Sequence, residues 1–492
     1  MIPEELLPQT AVIFGASGDL TRRKLLPAFW HLWRQGHLPK GFALVGYARP
    51  EMTDDEFREY AFDHIKQFSP HAPDGDAWDE FSRRLSYFRG AFAEPGAMVE
   101  FRPYLEKLDA EFGTEGRRFF DAAVPSAAYA DIVHRIGEAR LQENARIVFE
   151  KPFGRDLGTA IELNAVMHEV FEESQVFRID HYLGKETVQN VLAFRFANGM
   201  FEPIWNRRYI DHVQITVAEK IGIEGRGAFY EQTGNIRDMI STHLFQVMTF
   251  VAMEPPVSFE PDRLRDETVK VLRATEIAGT DRVVRGQYEG YLDEEGVAPD
   301  STTETFSAME LDIDNWRWAG VPFYLRTGKG LADKVSEITL KFRKVPFNVF
   351  TGTDMELPKR DHLTIRVQPN EGISIAFNAK VPGPGMRLGR VSMDFDYAEG
   401  FAASEIADAY ELLLLEAMSG DHSLFIRQDG VERAWEILQP ALGSPSPVQP
   451  YAFGSWGPPA ADDLILPRKW HLTGAHEPHD YRSRAFPIVA GD

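Results

Sequence analysis

The first third of this 492-residue chain alternates between two hydrophobic periods, and this alternation limits the fold more than any other feature. Short apolar runs typical of buried strands occur at residues 10–14, 42–47, 119–124 and 146–149. Apolar residues at helical spacing follow the first run, a capping box opens a helix at 53, and residues 126–141 form another helix. Strands that alternate with helices predict a parallel, doubly wound α/β sheet.

The pattern changes after about residue 180. Alternating strands without helices between successive members are predicted at 212–217, near 270–290, and at 337–345, 361–367 and 372–378. Helices are predicted at about 184–196, 236–252 and 401–418. Because one core rarely serves so long a chain, we expect an α/β domain over 1–180 and an α+β domain over 181–492 with a mainly antiparallel sheet.

Charge and composition exclude several classes of protein. A formal net charge of −22 disfavours nucleic acid and anionic membranes as partners. The absence of cysteine excludes disulfides and thiolate catalysis. The first residues lack the basic start and apolar run of a signal peptide, and no segment has the length of a membrane span. We therefore expect a cytoplasmic protein that binds neither nucleic acid nor membrane.

A glycine-containing turn follows the first predicted strand and opens a helix. The turn contains Gly15, Ala16, Ser17, Gly18, Asp19 and Leu20. Glycines there allow the backbone to approach a pyrophosphate, whose charge the helix N-terminus stabilises. Ser17 stands where a full GxGxxG motif has its second glycine, so the alternative is a tight strand–helix turn without a ligand. Lys24, one helical turn further on, is a candidate for the same nucleotide site.

Two further segments end predicted strands of the parallel sheet. Arg49 follows the second strand, where an arginine accommodates the 2′-phosphate of NADP and an acid favours NAD. The alternative is an ordinary surface arginine. Glu150, Lys151 and Pro152 end the last of the predicted strands, and Lys151 is placed to contact both a cofactor and a substrate.

The segment Arg178–Glu186 concentrates an acid, an imidazole, a phenol and an ammonium. If a helix begins near Asp180, then His181 and Lys185 share one face, and the first-turn N–H groups add partial positive charge beside Lys185. Such a helix start is suited to a phosphate group. The alternative is a capped helix start that faces only solvent.

This segment, RIDHYLGKE, resembles the substrate signature of the glucose-6-phosphate dehydrogenase family. Further segments agree with that family in the same order along the chain: 15–20, 150–154, 238–243, 410–414 and 454–458. The resemblance covers nearly the whole chain, and the ordered set is highly specific. It implies a Rossmann-type N-terminal domain, a larger α+β domain and a homodimer or homotetramer.

The resemblance also implies an activity. Members of the family oxidise C1 of glucose 6-phosphate to 6-phospho-glucono-δ-lactone and transfer hydride to NADP, with NAD as a weaker alternative. That oxidation needs a base for the hydroxyl proton and no metal. Histidine suits the role because its unperturbed pKa lies near 6.5. The family's base maps to His243, and the aspartate that orients it maps to Asp180.

The remaining roles are also implied by the family. Sugar-hydroxyl contacts map to Glu219 and Asp238, and the family's nucleotide contacts map to the turn at 15–20 and Arg49. Lys24, Lys151 and Pro152 join the nucleotide candidates by their positions in the chain. The 6-phosphate contacts map to His181, Tyr182, Lys185, Lys329 and Lys334, with Lys151 also near the sugar. Because Asp238 and His243 are five positions apart, an ideal α-helix separates them by about 140°, and helical geometry alone does not join them.

Two other functions stay open from sequence. The chain is either a Rossmann sugar oxidoreductase of the glucose–fructose oxidoreductase type, which shares the EKP element, or an inactive NADP-binding regulatory or scaffold protein. A sugar oxidoreductase of that type would not explain why cations are grouped around Lys185. The second gives no reason for retaining every proposed chemical group.

Overall fold

The computed structural model describes residues 6–92, 94–347, 349, 359–401 and 407–472. Two sheets organise this part of the chain. Within these ranges, none of the helices combines the length and the apolar character needed to cross a bilayer.

The N-terminal sheet has six parallel strands in the order β3-β2-β1-β4-β5-β6. These strands are β1 Gln9–Phe14, β2 Phe42–Ala48, β3 Leu85–Arg89, β4 Arg118–Ala122, β5 Ala145–Phe149 and β6 Val176–Arg178. The order reverses direction at β1, which is the position where open α/β sheets form a ligand crevice. The predicted doubly wound α/β sheet is confirmed.

The second sheet is mixed and large. Its ten strands are β7 Ile210–Ala218, β8 Thr275–Ile277, β9 Val283–Tyr288, β10 Phe306–Ile313, β11 Phe323–Gly328, β12 Val335–Phe342, β13 His362–Gln368, β14 Gly372–Lys380, β15 Leu388–Asp396 and β16 Val448–Tyr451. They run in the order β15-β14-β13-β12-β7-β11-β10-β9-β16, with β8 on β10. The β7–β11 and β9–β16 pairs are parallel and the others antiparallel, so the predicted mainly antiparallel sheet is confirmed.

Helices connect successive strands of the N-terminal sheet and also occur between strands of the second sheet along the chain. The α-helices are α1 Leu26–Arg34, α2 Asp54–Phe68, α3 Gly75–Ser82, α4 Phe101–Phe112, α5 Tyr129–Glu138, α6 Leu157–His168, α7 Glu186–Phe196, α8 Gly227–Asn235, α9 Phe245–Ala252, α10 Pro261–Arg273, α11 Tyr397–Gly400, α12 Ala409–Ser419, α13 Gln428–Gly443 and α14 Ala460–Leu464. Two π-helical segments, Thr21–Leu25 and Ile236–Leu244, precede α1 and α9.

The apolar core joins the two halves of the chain. One cluster of buried side chains runs from the N-terminal sheet through α7, α9, α12 and α13 to the second sheet. The indole of Trp435 on α13 donates to the carbonyl of Phe153, at 2.8 Å, beside the N-terminal sheet. The assignment of residues 181–492 to a single domain stays a prediction: α12 contacts β5 of the N-terminal sheet, and α13 contacts both α6 and β8.

Several predicted boundaries were wrong, and local chemistry explains them. The helix predicted at about 184–196 is confirmed as α7, but no helix begins near Asp180, because residues 181–184 form a turn in which the Asp180 carboxylate accepts from Tyr182 N at 2.9 Å. Residues 270–273, where a strand region was predicted to begin, are instead the end of helix α10. The sequence Val-Lys-Val-Leu in this helix alternates like a strand but also fits an amphipathic helix. Of the helix predicted at 401–418, residues 402–406 lie outside the described ranges, and α12 starts at Ala409, after its N-cap Asp408.

The capping box at the start of α2 is confirmed. The Thr53 hydroxyl accepts from Glu56 N at 3.2 Å, and the Glu56 carboxylate accepts from Thr53 N at 2.7 Å.

Candidate active site

The glycine turn after β1 lies at the carboxyl edge of the N-terminal sheet. Gly15 has φ +86°, and a Cβ at this position would collide with the carbonyl oxygen of Ala123, after β4. Gly15 N donates to Tyr47 O at 2.9 Å, and Gly18 N donates to Gly15 O at 2.8 Å. The hydroxyl of Thr21 also donates to Gly15 O, at 3.0 Å. The left-handed backbone and the close contact with the chain after β4 require glycine at position 15. Such a turn allows the protein backbone to approach the pyrophosphate of a dinucleotide.

The other residues predicted for the nucleotide end lie around this turn. Ser17 is exposed, Ala16 is buried, and Leu20 is half-buried. Asp19 accepts from Arg22 at 2.6 Å and from Arg23 at 2.9 Å, and the Arg22 hydrogen bond lowers the pKa of Asp19 most.

Lys24 points towards the other half of the chain. Its ammonium pairs with Asp408, the N-cap of α12, at 2.7 Å. It therefore ties the helix after the glycine turn to α12, and a role towards a nucleotide stays a prediction.

Arg49 follows β2 directly and is exposed. Among the described residues no ion pair engages its guanidinium. The following residue, Pro50, is held by the Tyr87 hydroxyl, which donates to its carbonyl at 2.6 Å. Arg49 thus stands at the carboxyl edge of the strand next to β1, on the same edge as the glycine turn.

His243 and Asp180 form a buried pair. Asp180 lies just after β6 and His243 lies in the second π-helical segment, and the imidazole Nδ1 is hydrogen-bonded to a carboxylate oxygen of Asp180. Both side chains are almost fully buried. The opposite nitrogen, Nε2 of His243, has no hydrogen-bond partner among the described residues. An imidazole oriented on one side and unoccupied on the other is poised to take a proton.

Electrostatics in this pair keeps the imidazole neutral. Burial lowers the pKa of His243 below its ordinary value, although the adjacent Asp180 carboxylate acts in the opposite direction. Burial works to raise the pKa of Asp180, but His243 lowers it overall. The carboxylate stays ionised while the imidazole stays unprotonated, which is the state required of a general base.

The π-helical geometry of Ile236–Leu244 joins Asp238 and His243. A π-helix closes hydrogen bonds between residues five apart, so these two side chains sit one turn apart on one face. Their charges interact, since His243 lowers the pKa of Asp238 and Asp238 raises that of His243. The separation of about 140° expected on an ideal α-helix was the wrong geometry for this segment.

Lys151 connects the end of β5 to this segment. Its ammonium donates to the Asp238 carboxylate at 2.9 Å and to the Asp238 carbonyl at 2.9 Å. Burial works to raise the pKa of Asp238, but Lys151 and Lys329 lower it overall, so the carboxylate is ionised. The Lys151–Pro152 bond is cis, a state that the sequence did not reveal.

Glu219 and Lys329 stand at the ends of neighbouring parallel strands. Glu219 follows β7, Lys329 follows β11, and a salt bridge joins their side chains. Backbone bonds of 2.9 Å fix both ends, from Glu219 N to Gly328 O and from Leu331 N to Glu219 O. Lys329 also lies 3.9 Å from Asp238, so the acids and lysines alternate around one small region.

Lys185 marks the other side of the site. Its ammonium donates to the Gln368 side-chain oxygen at 2.8 Å and stands 4.2 Å from the centre of the Tyr182 ring. Burial, and then the charge of the exposed Lys334, lowers the pKa of Lys185 to about 8. Lys334 therefore lies in the same region as Lys185. Lys185 follows β6 of the N-terminal sheet, whereas Lys334 lies between β11 and β12 of the second sheet.

His181 and Tyr182 pack on the imidazole of His243. The Tyr182 ring stacks on His243 at 4.5 Å, and the His181 ring meets it edge-on at 4.4 Å. Burial, together with the positive charges of the site, holds the pKa of His181 well below its ordinary value. Burial and the nearby positive charges therefore favour the neutral form of the His181 imidazole.

One carboxylate oxygen of Asp180 and one ring nitrogen each of His181 and His243 all lie within 4.8 Å of one another. This spacing follows from the Asp180–His243 hydrogen bond and the edge-on ring contact. The same compactness brings one acid and two imidazoles together in one small region.

Sequence reasoning did not single out Gln368 and Tyr410. Gln368 ends β13, accepts from Lys185, and donates to Ser336 at 3.2 Å. Tyr410 on α12 donates to the buried Glu150 carboxylate at 3.3 Å. Only the polar Gln-Pro-Asn sequence after an alternating strand marks the first position, and Tyr410 lies in a segment used solely for the family resemblance.

Comparisons with known proteins agree along the whole chain. Residues 12–190 match the family described as glucose-6-phosphate dehydrogenase, NAD binding domain, and residues 192–471 match its C-terminal domain. A glucose-6-phosphate 1-dehydrogenase 2 of Mycobacterium bovis is 44% identical over 494 residues, covering 95% of each chain. The glucose-6-phosphate 1-dehydrogenase of Aggregatibacter actinomycetemcomitans is 44% identical over 92% of this chain and 95% of its own.

Solved structures show the same similarity. A glucose-6-phosphate dehydrogenase in complex with glucose 6-phosphate superposes with a TM-score of 0.87 at 35% identity, covering 96% of this chain and 99% of that one. The Mycobacterium avium glucose-6-phosphate 1-dehydrogenase superposes with a TM-score of 0.85 at 37% identity, covering 95% and 98%.

Proposed function

The chain belongs to the glucose-6-phosphate dehydrogenase family, and from that premise we propose that it oxidises C1 of D-glucose 6-phosphate with NADP as hydride acceptor. The product is 6-phospho-D-glucono-1,5-lactone. One observation carries the proposal: the His243–Asp180 pair leaves Nε2 of a neutral imidazole without a hydrogen-bond partner among the described residues, near two acids and two lysines.

His243 is the proposed general base. Its Nε2 takes the proton of the C1 hydroxyl while hydride leaves C1, so that both electrons of the C–H bond depart with the hydride. Asp180 holds Nδ1 and stabilises the imidazolium as it forms, without itself taking the proton. The nicotinamide of the cofactor supplies the hydride acceptor when it is bound.

The acids and lysines around Asp238 are the proposed sugar contacts. Glu219 and Asp238 are ionised acceptors for sugar hydroxyls, and Lys151 and Lys329 neutralise them in the free protein. A sugar that enters exchanges these internal ion pairs for hydroxyl contacts. The pairs hold the side chains in place beforehand, which lowers the ordering cost of binding.

The proposed phosphate site is centred on Lys185. The ammonium contributes charge, while neutral His181 and the Tyr182 hydroxyl contribute hydrogen bonds. Lys329 and Lys334 complete the contacts from the second sheet. Several positive groups are needed because a dianion must bind to a chain with a net charge of −22.

The turn at 15–20 fits a dinucleotide, because a Cβ at Gly15 would fill the cradle that the backbone forms against Ala123. Arg49, exposed at the same edge, is the proposed partner of a 2′-phosphate, and this favours NADP over NAD. Lys24, Lys151 and Pro152 border the same crevice. We further propose a cytoplasmic homodimer or homotetramer, as expected from the resemblance.

Absorbance at 340 nm tests the activity. The protein is mixed with glucose 6-phosphate and either NADP or NAD, with plain glucose as the control sugar. We expect NADPH formation with the phosphorylated sugar, slower reduction of NAD and little reaction with glucose. Equal rates on both sugars would instead favour a general sugar oxidoreductase, and tight NADP binding without turnover would favour an inactive binding protein.

A further inference from the structure

The helix that carries Asp238 and His243 does not begin as a regular continuation of α8. Gly234 interrupts the helical backbone with φ 68° and ψ 171°, and the π-helical segment restarts at Ile236. Asn235 is the N-cap residue, but its side chain makes no capping hydrogen bond, and its Oδ1 has no partner among the described residues. The new helix start therefore lacks the local cap that such a restart normally uses.

Glu304 supplies that cap from elsewhere in the chain. Its carboxylate accepts from Ile236 N at 3.1 Å, and its carbonyl accepts from Asn235 N at 2.9 Å. A Cβ on Gly234 would lie only 2.7 Å from the Glu304 carboxylate, so the glycine admits the acid at the break. A buried anion at the first turn of a helix also interacts favourably with the free N–H groups.

The neighbouring residue holds the opposite side of the sugar site. The carbonyl of Thr305 accepts from Lys329 N at 2.9 Å, and the Tyr451 hydroxyl donates to the Lys329 carbonyl at 2.6 Å. Glu304 and Thr305 are thus bonded both to the helix start before Asp238 and to the backbone of Lys329. One dipeptide sets the separation between two walls of the site.

Arg285 compensates the charge of Glu304. The guanidinium donates to the carboxylate at 2.7 and 3.1 Å, and both side chains are buried. Its remaining donors go to the carbonyls of Thr302 and Ser446, at 2.8 and 2.9 Å. A buried ion pair is weak evidence of a stability gain, since well-packed apolar residues often serve as well. Arg285 binds one oxygen of the Glu304 carboxylate, and the other oxygen caps the helix. The ion pair therefore holds the capping oxygen in place.

We propose that Glu304 is a positioning residue, which sets the placement of Asp238 and His243 relative to Lys329 by capping the π-helical segment. The inference rests on the proposed function, because it concerns the same sugar site. Glu304 itself touches none of the reacting groups. Removal of the cap changes the sugar site and leaves the nucleotide crevice as it is.

Two double variants separate the cap from the ion pair. E304Q/R285M removes both charges but keeps a side-chain oxygen for Ile236 N, whereas E304A/R285M removes both charges and the cap. Both are assayed for kcat, for KM towards glucose 6-phosphate, and for NADP binding by fluorescence titration. We expect E304A/R285M to have kcat/KM for the sugar at least about 10-fold below that of E304Q/R285M, because misplacement by about 1 Å costs up to 10²-fold.

The matched control is the buried Asp109–Arg118 ion pair of the N-terminal sheet, removed as D109N/R118M. It is expected to lower the thermal midpoint with kcat and sugar KM unchanged. NADP affinity should stay within about 2-fold in both Glu304 variants, which shows that they are folded. Equal kcat/KM in the two Glu304 variants, or a parallel loss of NADP affinity, would overturn the inference. Failure of the unmutated protein to reduce NADP would instead overturn the proposed function.

Discussion

His243 and Asp180 lie 63 positions apart in the sequence, yet their side chains share a hydrogen bond in a fully buried part of the molecule. The strand end after β6 carries the acid and a π-helical segment carries the base. This arrangement leaves Nε2 of His243 without a hydrogen-bond partner among the described residues.

H243N should therefore lower kcat by at least about 100-fold, since general-base assistance contributes roughly 10²–10⁴. KM for glucose 6-phosphate should change much less, because the proposed phosphate contacts are untouched. Steady-state NADPH formation measures both constants. The matched control is H422N: His422 is also buried, its Nε2 has no hydrogen-bond partner among the described residues, and its ring stacks on Phe177 and not on the rings that contact His243. A variant H243N with near-full turnover would exclude the proposed base.

The pH profile should be limited by two different groups. An ordinary histidine has a pKa of about 6.5. Burial lowers the pKa of His243, so the imidazole is still unprotonated at that pH and the rate falls only at lower pH. Burial and Lys334 lower the pKa of Lys185 to about 8, so its charge is lost above that pH.

The alkaline loss should appear in kcat/KM and much less in kcat, because bound phosphate favours the charged ammonium. K185R keeps its charge at every accessible pH and should move the alkaline limb upwards. An alkaline limb that is identical in K185R would rule out Lys185 as its source.

K185A should raise KM for glucose 6-phosphate by roughly 10- to 100-fold, since a charge-assisted hydrogen bond contributes about 1.5–3 kcal/mol. Activity on plain glucose should barely change, because that sugar has no phosphate to hold. The exposed Lys220, beside Glu219, offers the control K220A. Equal losses on both sugars in K185A would contradict a phosphate-holding role.

The sequence predicted what local periodicity records. The strands β1, β2, β4 and β5 appear within one or two residues of their predicted bounds, because buried parallel strands are continuous apolar runs that end at glycine or proline. β6 has only three residues, Val176–Arg178, and such a short strand has no period of its own. Strand order in the second sheet depends on pairings between distant segments, as with β7 and β11.

The site was predicted by resemblance more than by geometry. Periodicity placed Asp238 and His243 on different helical faces, and only the π-helical turn brings them together. Glu304 had no local signal at all, since its use depends on a helix break 70 residues earlier.

R49A should reduce the preference for NADP over NAD. The guanidinium is exposed at the carboxyl edge of β2 and offers a bidentate partner to a 2′-phosphate that NAD lacks. We expect kcat/KM for NADP to fall by roughly 10-fold or more with that for NAD nearly constant. R83A is the control, because the exposed Arg83 precedes β3 at the opposite edge of the sheet. A cofactor ratio that is unchanged in R49A would remove Arg49 from the nucleotide site.

Asp121 offers a prediction about stability that is independent of catalysis. It lies on β4 with both carboxylate oxygens buried and unpartnered among the described residues. Burial, and then the charge of Glu150, raises the pKa of Asp121 well above its usual value. Between the unfolded pKa near 3.9 and the raised folded pKa, the unfolded chain has released a proton that the folded protein still holds. Stability therefore falls as the pH rises through this window.

D121N cannot titrate, so it should lose less stability than the unmutated protein as the pH rises. The difference grows by up to ~1.4 kcal/mol per pH unit within the window, which corresponds to about 2 °C in thermal midpoint. Midpoints of both proteins at pH 5 and pH 8 measure it. D63N, at an exposed position, is the control, because surface changes there alter stability little at either pH. The quantity to compare is the thermal midpoint of D121N minus that of the unmutated protein. If this difference did not rise from pH 5 to pH 8, Asp121 would not be the buried protonated group that its surroundings indicate.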